Sequence, residues 1–273
     1  MITSKGGCMT ISSTAISSCQ DCISNFCDGK GIFQEYGIKS VTSYEWPKKG
    51  LSLDLLVKQL DQNYQLSGRN NYEKNVELKL LLSNEIQNSK LDLYDTAKWI
   101  ISSWGGIPKL SKSTHNYIQS VVDQKYPKKL DGVASYSKLF AMFYPEKFAI
   151  YDARVAVSLN IIQLLSEEDD ALFFPYLSGR NKVTGYQKTN QGFSRMPEFS
   201  RKQISETSKK LWHTISRESV YPLYNQILNS VCSTKKLNVY DVEMLLFSKA
   251  EDLVRQIRKH SKFQNLDWTR IPD

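Results

Sequence analysis

The sequence predicts an all-α fold. From Leu51 to Lys259, apolar residues recur every three to four positions over most of the chain, which is the spacing of a buried helical face. Glycine and proline are sparse, 13 and 8 of 273 residues, which argues against many short strands joined by tight turns. The hydrophobic fraction of 41% is ordinary for a chain of this length with a buried core and too high for a disordered one.

The first 50 residues differ in composition from the rest. They are rich in Gly, Ser and Thr, show little helical periodicity, and contain four of the five cysteines: Cys8, Cys19, Cys22 and Cys27. We therefore predict an irregular N-terminal extension over residues 1–50 and a helical domain over residues 51–273. The cysteine spacing leaves two alternatives open, a structural metal site with four thiolate ligands and ordinary thiols, of which it favours the second.

Polar and Gly/Pro breaks divide the helical domain into successive helices. A first helix follows Ser52 and extends to Tyr64. The next helices are predicted, in order, at Val76–Ile86, Leu93–Trp104, Tyr117–Val122, 135–143 and 153–165. Helical periodicity returns at Leu211 and continues to Leu228, and the last helix covers Val239–Lys259.

The charge balance indicates a polyanionic partner. The formal net charge is +8 and the isoelectric point is about 9.1, which favours nucleic acid first and an acidic membrane surface second. A basic protein without such a partner is the alternative. No apolar run is long enough to cross a bilayer, and the first residues lack the apolar stretch of a secretory signal. We expect a cytoplasmic protein with reduced cysteines.

The segment from Lys128 to Asp152 contains the residues that best indicate a function. Lys128-Lys129-Leu130-Asp131-Gly132-Val133-Ala134 predicts a short hairpin between two helices, in which Gly132 permits the tight bend. Free backbone amides at the start of the next helix, predicted near Ser135, would bind a phosphate. An apolar helix and a tight turn then lead to Asp152 at the start of another helix, where a simple capping role is the alternative to a catalytic one.

This order of parts resembles the helix–hairpin–helix DNA glycosylase superfamily. That family has a hairpin of Leu-Pro-Gly-Val-Gly and a later helix that opens with Val-Asp-Thr-His-Val. The matching stretches here are Leu130-Asp131-Gly132-Val133-Ala134 and Tyr151-Asp152-Ala153-Arg154-Val155, and the resemblance covers residues 130–158. It implies a helical fold with a cleft between two lobes, a hairpin that binds a DNA phosphate, and an aspartate, Asp152, that assists departure of the base.

Two departures from the family pattern bear on the reaction. The Pro and the second Gly of the hairpin are replaced by Asp131 and Ala134. Members with lyase activity carry a lysine two residues after that Gly, and the matching position here is Tyr136. Lys138 lies two residues further on and should point elsewhere on the helix. The resemblance therefore implies a monofunctional glycosylase that leaves an abasic site and needs no cofactor.

A finer resemblance concerns the stretch from Ser137 to Ala156. It is similar to a stand-alone bacterial branch with the 8-oxoguanine-glycosylase fold, some members of which resemble anti-phage proteins that remove modified cytosines, including glucosylated hydroxymethylcytosine. This implies double-stranded DNA with a modified base as the partner. The alternatives are a non-catalytic DNA-binding module of the same fold and a helical interaction protein without a DNA role.

The residues predicted to contact DNA lie in the hairpin, the two following helices and a basic segment over 178–202: Lys128, Lys129, Gly132, Val133, Ala134, Ser135, Lys138, Arg154, Arg180, Lys182, Lys188 and Arg195. The basic segment fits a clamp on backbone phosphates, and a solvated loop would have the same composition. Arg154 reaches a phosphate or pairs with the acidic patch at 167–170. Trp104, Phe148 and Tyr151 are predicted to line the base pocket, with core packing as the alternative for each.

Overall fold

The computed structural model describes residues 11–47, 52–107, 110, 112–125, 127, 129–177, 184, 188–189, 192–193, 205–206 and 208–260. Helix accounts for 62% of the structure and strand for 4%, so the predicted, mainly helical fold is confirmed. The α-helices are α1 (Ser13–Asp28), α2 (Leu53–Val57), α3 (Asn71–Gln87), α4 (Leu93–Trp99), α5 (Thr114–Val122), α6 (Val133–Phe143), α7 (Ala153–Leu165), α8 (Val220–Lys235) and α9 (Val239–Lys259). A π-helical segment, Ile100–Trp104, extends α4.

The N-terminal region is helical where the sequence predicted an irregular extension. Helix α1 buries Ala15, Cys19, Cys22, Ile23 and Phe26 along one face. These residues recur every three to four positions, but several of them are cysteines in a Ser-rich segment, and the helix was not predicted because they were not counted as an apolar face. Helix α1 packs against α8, and the 3₁₀ turns that follow it, Gly31–Phe33 and Ile38–Ser43, pack onto the same core. Residues 13–47 are therefore part of one hydrophobic core with the remaining helices.

Helix α2 is shorter than predicted, and the chain continues in tighter turns in which the amides of Gln59 and Leu60 donate to Leu56 O and Val57 O. The helix ends at Val57, and Leu55 is 67% exposed. The carboxylate of Asp61 accepts the amide of Asn63 at 2.8 Å, a local turn that replaces further helical hydrogen bonds.

The predicted helix at Leu211 begins as a strand. Strand β4 (Leu211–Thr214) pairs in parallel with β1 (Asp170–Phe173), and its exposure alternates between Leu211, which is outside, and Trp212, which is buried. A second pair, β2 (Lys188–Thr189) and β3 (Gly192–Phe193), is antiparallel. The all-α prediction is thus correct for the bulk of the described residues and wrong for these short strands. The helix predicted after Leu211 starts only at Val220.

Helix α7 is the central helix of the core. Every residue from Val155 to Leu165 is buried, and α9 packs along it. Two side-chain amides of α7 pair with the chain at β1 as a neighbouring strand would. Asn160 bonds both the N–H and the C=O of Phe174, at 2.9 and 2.8 Å, and Gln163 does the same for Leu172, at 2.8 and 2.9 Å. These pairings hold the middle and the C-terminal part of α7 against the chain at β1.

Candidate active site

The predicted hairpin is present between α5 and α6. Gly132 caps α6 with φ +80°, and a Cβ at this position would lie 2.0 Å from the hydroxyl oxygen of Tyr117. A side chain is excluded both by the left-handed backbone and by the tyrosine. The requirement for glycine at the bend, predicted from the sequence, is confirmed.

The phosphate site predicted at the helix start is smaller than expected. Helix α6 begins at Val133, two residues before the predicted start near Ser135. The amide of Val133 donates to Leu130 O at 3.0 Å and that of Ser135 donates to Gly132 O at 2.9 Å. The amides of Val133 and Ser135, which were expected to face a phosphate, are therefore used within the turn, and Ala134 lies between these two residues. Lys129 is exposed beside the hairpin, whereas Lys128 lies outside the described residues.

Asp152 stands at the N-cap of α7, as predicted. Its Oδ1 accepts the backbone amides of Arg154 and Val155, both at 3.0 Å. Within the described part of the chain no donor reaches Oδ2, and the residue is partly exposed. Capping thus uses one oxygen of Asp152 and leaves the second available.

Hydrogen bonds tie the hairpin helix to the aspartate. The hydroxyl of Ser137 in α6 accepts the amide of Tyr151 at 3.1 Å, in a fully buried contact. The Tyr151 hydroxyl donates to Pro175 O at 2.8 Å. The residue before Asp152 is therefore held from both ends, so that the carboxylate has a fixed position relative to α6.

Arg154 pairs with an acid that the sequence analysis had not considered. Its guanidinium lies 2.6 Å from Oε1 of Glu251 and 4.8 Å from the ring centroid of Phe247, both in α9. Of the two alternatives left open for Arg154, pairing with the acidic patch at 167–170 is wrong, because Arg154 pairs with Glu251 of α9, which packs along α7. A DNA phosphate would have to compete with Glu251 for this arginine.

Lys138 is buried rather than presented to DNA. It is 7% exposed, and its ammonium donates to Ala134 O at 2.5 Å. Its stem runs against Gly105, where an added Cβ would lie 2.8 Å from Lys138 Cδ. The predicted phosphate contact of Lys138 is corrected accordingly: the side chain points inward, where its charge acts on Glu243 in α9.

The three aromatic residues predicted to line a base pocket pack in the core. Trp104, Phe148 and Tyr151 are at most 2% exposed. Trp104 donates to Asn75 Oδ1 at 2.9 Å, and Phe148 packs edge-on against Phe140 at 4.9 Å. Core packing, the alternative weighed from the sequence, describes all three in this conformation, and their role in a base pocket stays a prediction.

A second aromatic group lies beside Asp152 and was missed in the sequence. Tyr44 and Trp46 pack against Phe247 of α9, with ring centroids 5.5 and 5.7 Å apart. Trp46 is partly exposed, and its indole N–H donates to Trp104 O at 2.9 Å. Burial, the largest effect, raises the pKa of the Tyr44 hydroxyl; the charges of Glu243 and then Asp152 raise it further, and that of Arg154 lowers it. The Tyr44-x-Trp46-Pro47 pattern lay in the N-terminal region, which had been predicted to be irregular.

A buried ion pair lies deeper in the same region. Lys79 of α3 and Glu243 of α9 are 0% and 1% exposed, and Nζ lies 2.5 Å from Oε2. Oε1 of Glu243 is buried and has no hydrogen-bond partner. Burial, the largest effect, raises the pKa of Glu243. The charge of Lys79 lowers it, that of Asp152 raises it, and that of Lys138 lowers it. Charges from three other chain segments therefore act on this carboxylate.

Most of the basic segment at 178–202 cannot be compared with its prediction. Arg180, Lys182 and Arg195 lie outside the described residues, and only the backbone of Lys188 is described, in β2. The clamp on backbone phosphates stays a prediction.

The cysteines of α1 are packing residues. Cys19, Cys22 and Cys27 are buried, and Cys8 lies outside the described residues. Burial raises the pKa of Cys22 to about 11 and that of Cys27 to about 12, which opposes the thiolate form that a metal requires. Within the described ranges, no group of three His, Cys, Asp or Glu side chains is placed to hold a metal ion.

No known protein family, curated protein or solved structure matches the chain. Among the described helices, none combines the length and apolar character needed to span a membrane.

Proposed function

We propose that this protein is a DNA glycosylase that excises a modified or damaged base from double-stranded DNA, with Asp152 as the carboxylate that stabilises the sugar. The proposal rests above all on Asp152: it follows a hairpin–helix unit, two backbone amides hold one of its oxygens, and the other oxygen has no donor among the described residues. Glucosylated hydroxymethylcytosine of phage DNA is the substrate we favour, and the cleft between two helical lobes is where we expect it to bind.

The chemistry requires a fixed negative charge. Breaking an N-glycosidic bond builds positive charge on the sugar, as in glycoside hydrolysis. Oδ2 of Asp152 can face that charge and then accept a proton from the attacking water. Oδ1 cannot turn away without losing two hydrogen bonds, so the carboxylate needs no reorganisation during the reaction.

A basic, exposed hairpin supports binding to DNA. Lys129 is exposed next to Gly132, and the formal net charge of the chain is +8. Phosphate contacts of this kind position a duplex without reading its sequence. Since the base must leave the helix to reach Asp152, we expect it to enter beside the partly exposed Trp46, on which a base can stack.

A base-release assay tests this proposal. Wild-type protein, Asp152→Asn and Asp92→Asn are incubated with duplex oligonucleotides that carry unmodified, oxidised, alkylated, hydroxymethylated or glucosyl-hydroxymethylated bases. Freed bases are detected by mass spectrometry and abasic sites by cleavage with alkali. Asp92 is a matched control, because it is also an N-cap aspartate, and its Oδ1 accepts the backbone amide three residues on, Asp95 N, at 2.7 Å. Release by the wild type and by Asp92→Asn, but not by Asp152→Asn, is the expected result.

A non-catalytic DNA-binding module is the second candidate. It is favoured by the burial of Trp104, Phe148 and Tyr151, because the three aromatic residues predicted to line a base pocket are at most 2% exposed. Folded protein that binds DNA in a salt-dependent manner but releases no base from any of these substrates would establish it.

A further inference from the structure

One carboxylate beside Asp152 is held by two arginines. Oε1 of Glu251 lies 2.6 Å from the guanidinium of Arg154, and Oε2 lies 3.1 Å from that of Arg255. Arg154 belongs to the start of α7, where its backbone amide donates to Asp152, whereas Glu251 and Arg255 are one turn apart in α9. The cluster therefore joins the two helices at the edge of the candidate active site.

Each arginine has a second contact that does not depend on Glu251. The guanidinium of Arg154 lies 4.8 Å from the ring centroid of Phe247, a distance at which the positive charge is attracted to the aromatic face. Arg255 donates from its other terminal nitrogen to Oδ1 of Asp252 at 2.8 Å. If the Glu251 carboxylate turned away, these contacts would keep both arginine side chains in place.

The cluster is exposed enough for its ion pairs to exchange. The side chains of Arg154, Glu251 and Arg255 are 19%, 27% and 56% exposed. An ion pair in contact with water is worth a factor of about five or less in an equilibrium constant. A competing anion can therefore displace the Glu251 carboxylate at a small cost.

The chemistry of this position fits a phosphodiester. A carboxylate and a phosphodiester each carry one negative charge shared by two oxygens, and a guanidinium binds either group through paired N–H donors. The end of α9 extends the basic surface, because Arg255, Arg258 and Lys259 are exposed and lie three or four residues apart on one face. A DNA strand with one phosphate in the position of the Glu251 carboxylate can continue along these cations.

We propose that Glu251 occupies, in the free protein, the place that a DNA phosphate takes between Arg154 and Arg255. The carboxylate keeps the two arginines positioned and withholds them from other anions until a DNA strand displaces it. Asp152 and Asp252 add negative charge nearby, so that a phosphate is admitted only once Glu251 turns away. Glu251 thus lowers the affinity for DNA of any sequence, since phosphate contacts do not read bases. The inference rests on the DNA binding that is part of the function proposed above.

Equilibrium binding to a duplex with a tetrahydrofuran abasic-site analogue, which offers no base to release, tests the proposal. Wild-type protein, Glu251→Gln and Glu73→Gln, each shown to be folded by its melting curve, are titrated by fluorescence anisotropy at several salt concentrations. We expect Glu251→Gln to bind about fivefold more tightly than the wild type, because the arginines become available without the loss of an ion pair. Glu73→Gln is the matched control, since Glu73 pairs with Arg69 one turn away at 2.9 Å and is 28% exposed. It makes the same change in net charge and should alter the affinity by less than about twofold.

Removing the second arginine provides the reverse test. Arg255→Gln added to Glu251→Gln should abolish most of the gain in affinity and reduce the slope of log affinity against log salt by about 0.9, the value for one phosphate contact. Arg69→Gln, added in the same way, should leave the gain unchanged. If the wild type binds the duplex but Glu251→Gln binds within about twofold of Glu73→Gln, or if Arg255→Gln leaves the gain intact, this inference alone fails. If the wild type shows no salt-dependent binding to DNA, the proposed function fails with it.

Discussion

Replacing Asp152 by Asn removes one charge and almost nothing else. The amide oxygen of Asn can accept the same two hydrogen bonds, from Arg154 and Val155 at 3.0 Å. Loss of the favourable charge at the helix N-terminus costs about 0.5 kcal/mol. Loss of the repulsion between Asp152 and Glu243 offsets part of that cost. We expect a free energy of unfolding within about 1 kcal/mol of the wild type, which is a shift in melting temperature of about 4 °C or less.

The effect on the reaction should be far larger. Asp152 is partly exposed, so an effective dielectric constant of about 20 applies to its interaction with the sugar. A unit negative charge at about 4 Å from a developing unit positive charge then contributes about 4 kcal/mol. This corresponds to a loss in rate of about 10³-fold.

Single-turnover base release, with melting curves on the same samples, checks both numbers. Asp92→Asn provides the comparison, because it carries the same substitution at another helix N-cap. If Asp152→Asn is folded and releases base within about threefold of the wild type, Asp152 is only a cap and the mechanism is wrong.

The remaining predictions concern the hairpin, the thiols and the buried lysine. Gly132→Ala should lower the free energy of unfolding by about 2 kcal/mol or more in denaturant titrations, because of its positive φ and the contact with Tyr117. Adding Tyr117→Phe should restore part of the lost free energy. Gly31→Ala, at φ +56° but with no atom within 4 Å of the added Cβ, should lose only about 1 kcal/mol. In a Cys8→Ser background, a thiol reagent at pH 8 should react rapidly only after denaturation. A raised pKa keeps the buried thiols protonated, with Cys22 about one part in a thousand thiolate, and fast labelling of the folded protein would contradict their burial. Borohydride should trap no protein–DNA adduct, because the Lys138 ammonium donates to Ala134 O and lies near Glu243; a trapped adduct lost in Lys138→Met would instead assign lyase activity to that lysine.

Local patterns were sufficient to predict the helices that matter for Asp152. The apolar runs at 153–165 and Val239–Lys259 are helices with those bounds, and Asp152 caps the first of them. Gly132 is required at the bend, because a tight turn before a helix is a local property of the chain. The strand at Leu211 could not be predicted from its own residues, since its partner, β1, lies about forty positions earlier and the pairing is set by the packed core.

The buried pair of Lys79 and Glu243 could not be predicted from the sequence for a related reason. In α3 the sequence suggests a buried face of Val76, Leu80 and Leu81. The helix instead buries the face that carries Leu78 and Leu82 together with Asn75 and Lys79. Periodicity arguments assume that the inward face is the apolar one, and a charged residue faces inward only when a partner from elsewhere in the chain meets it. Glu243 lies 164 positions away from Lys79. Lys79 is therefore buried among apolar residues of α3 because Glu243 meets it from α9, and no pattern local to α3 could predict that partner.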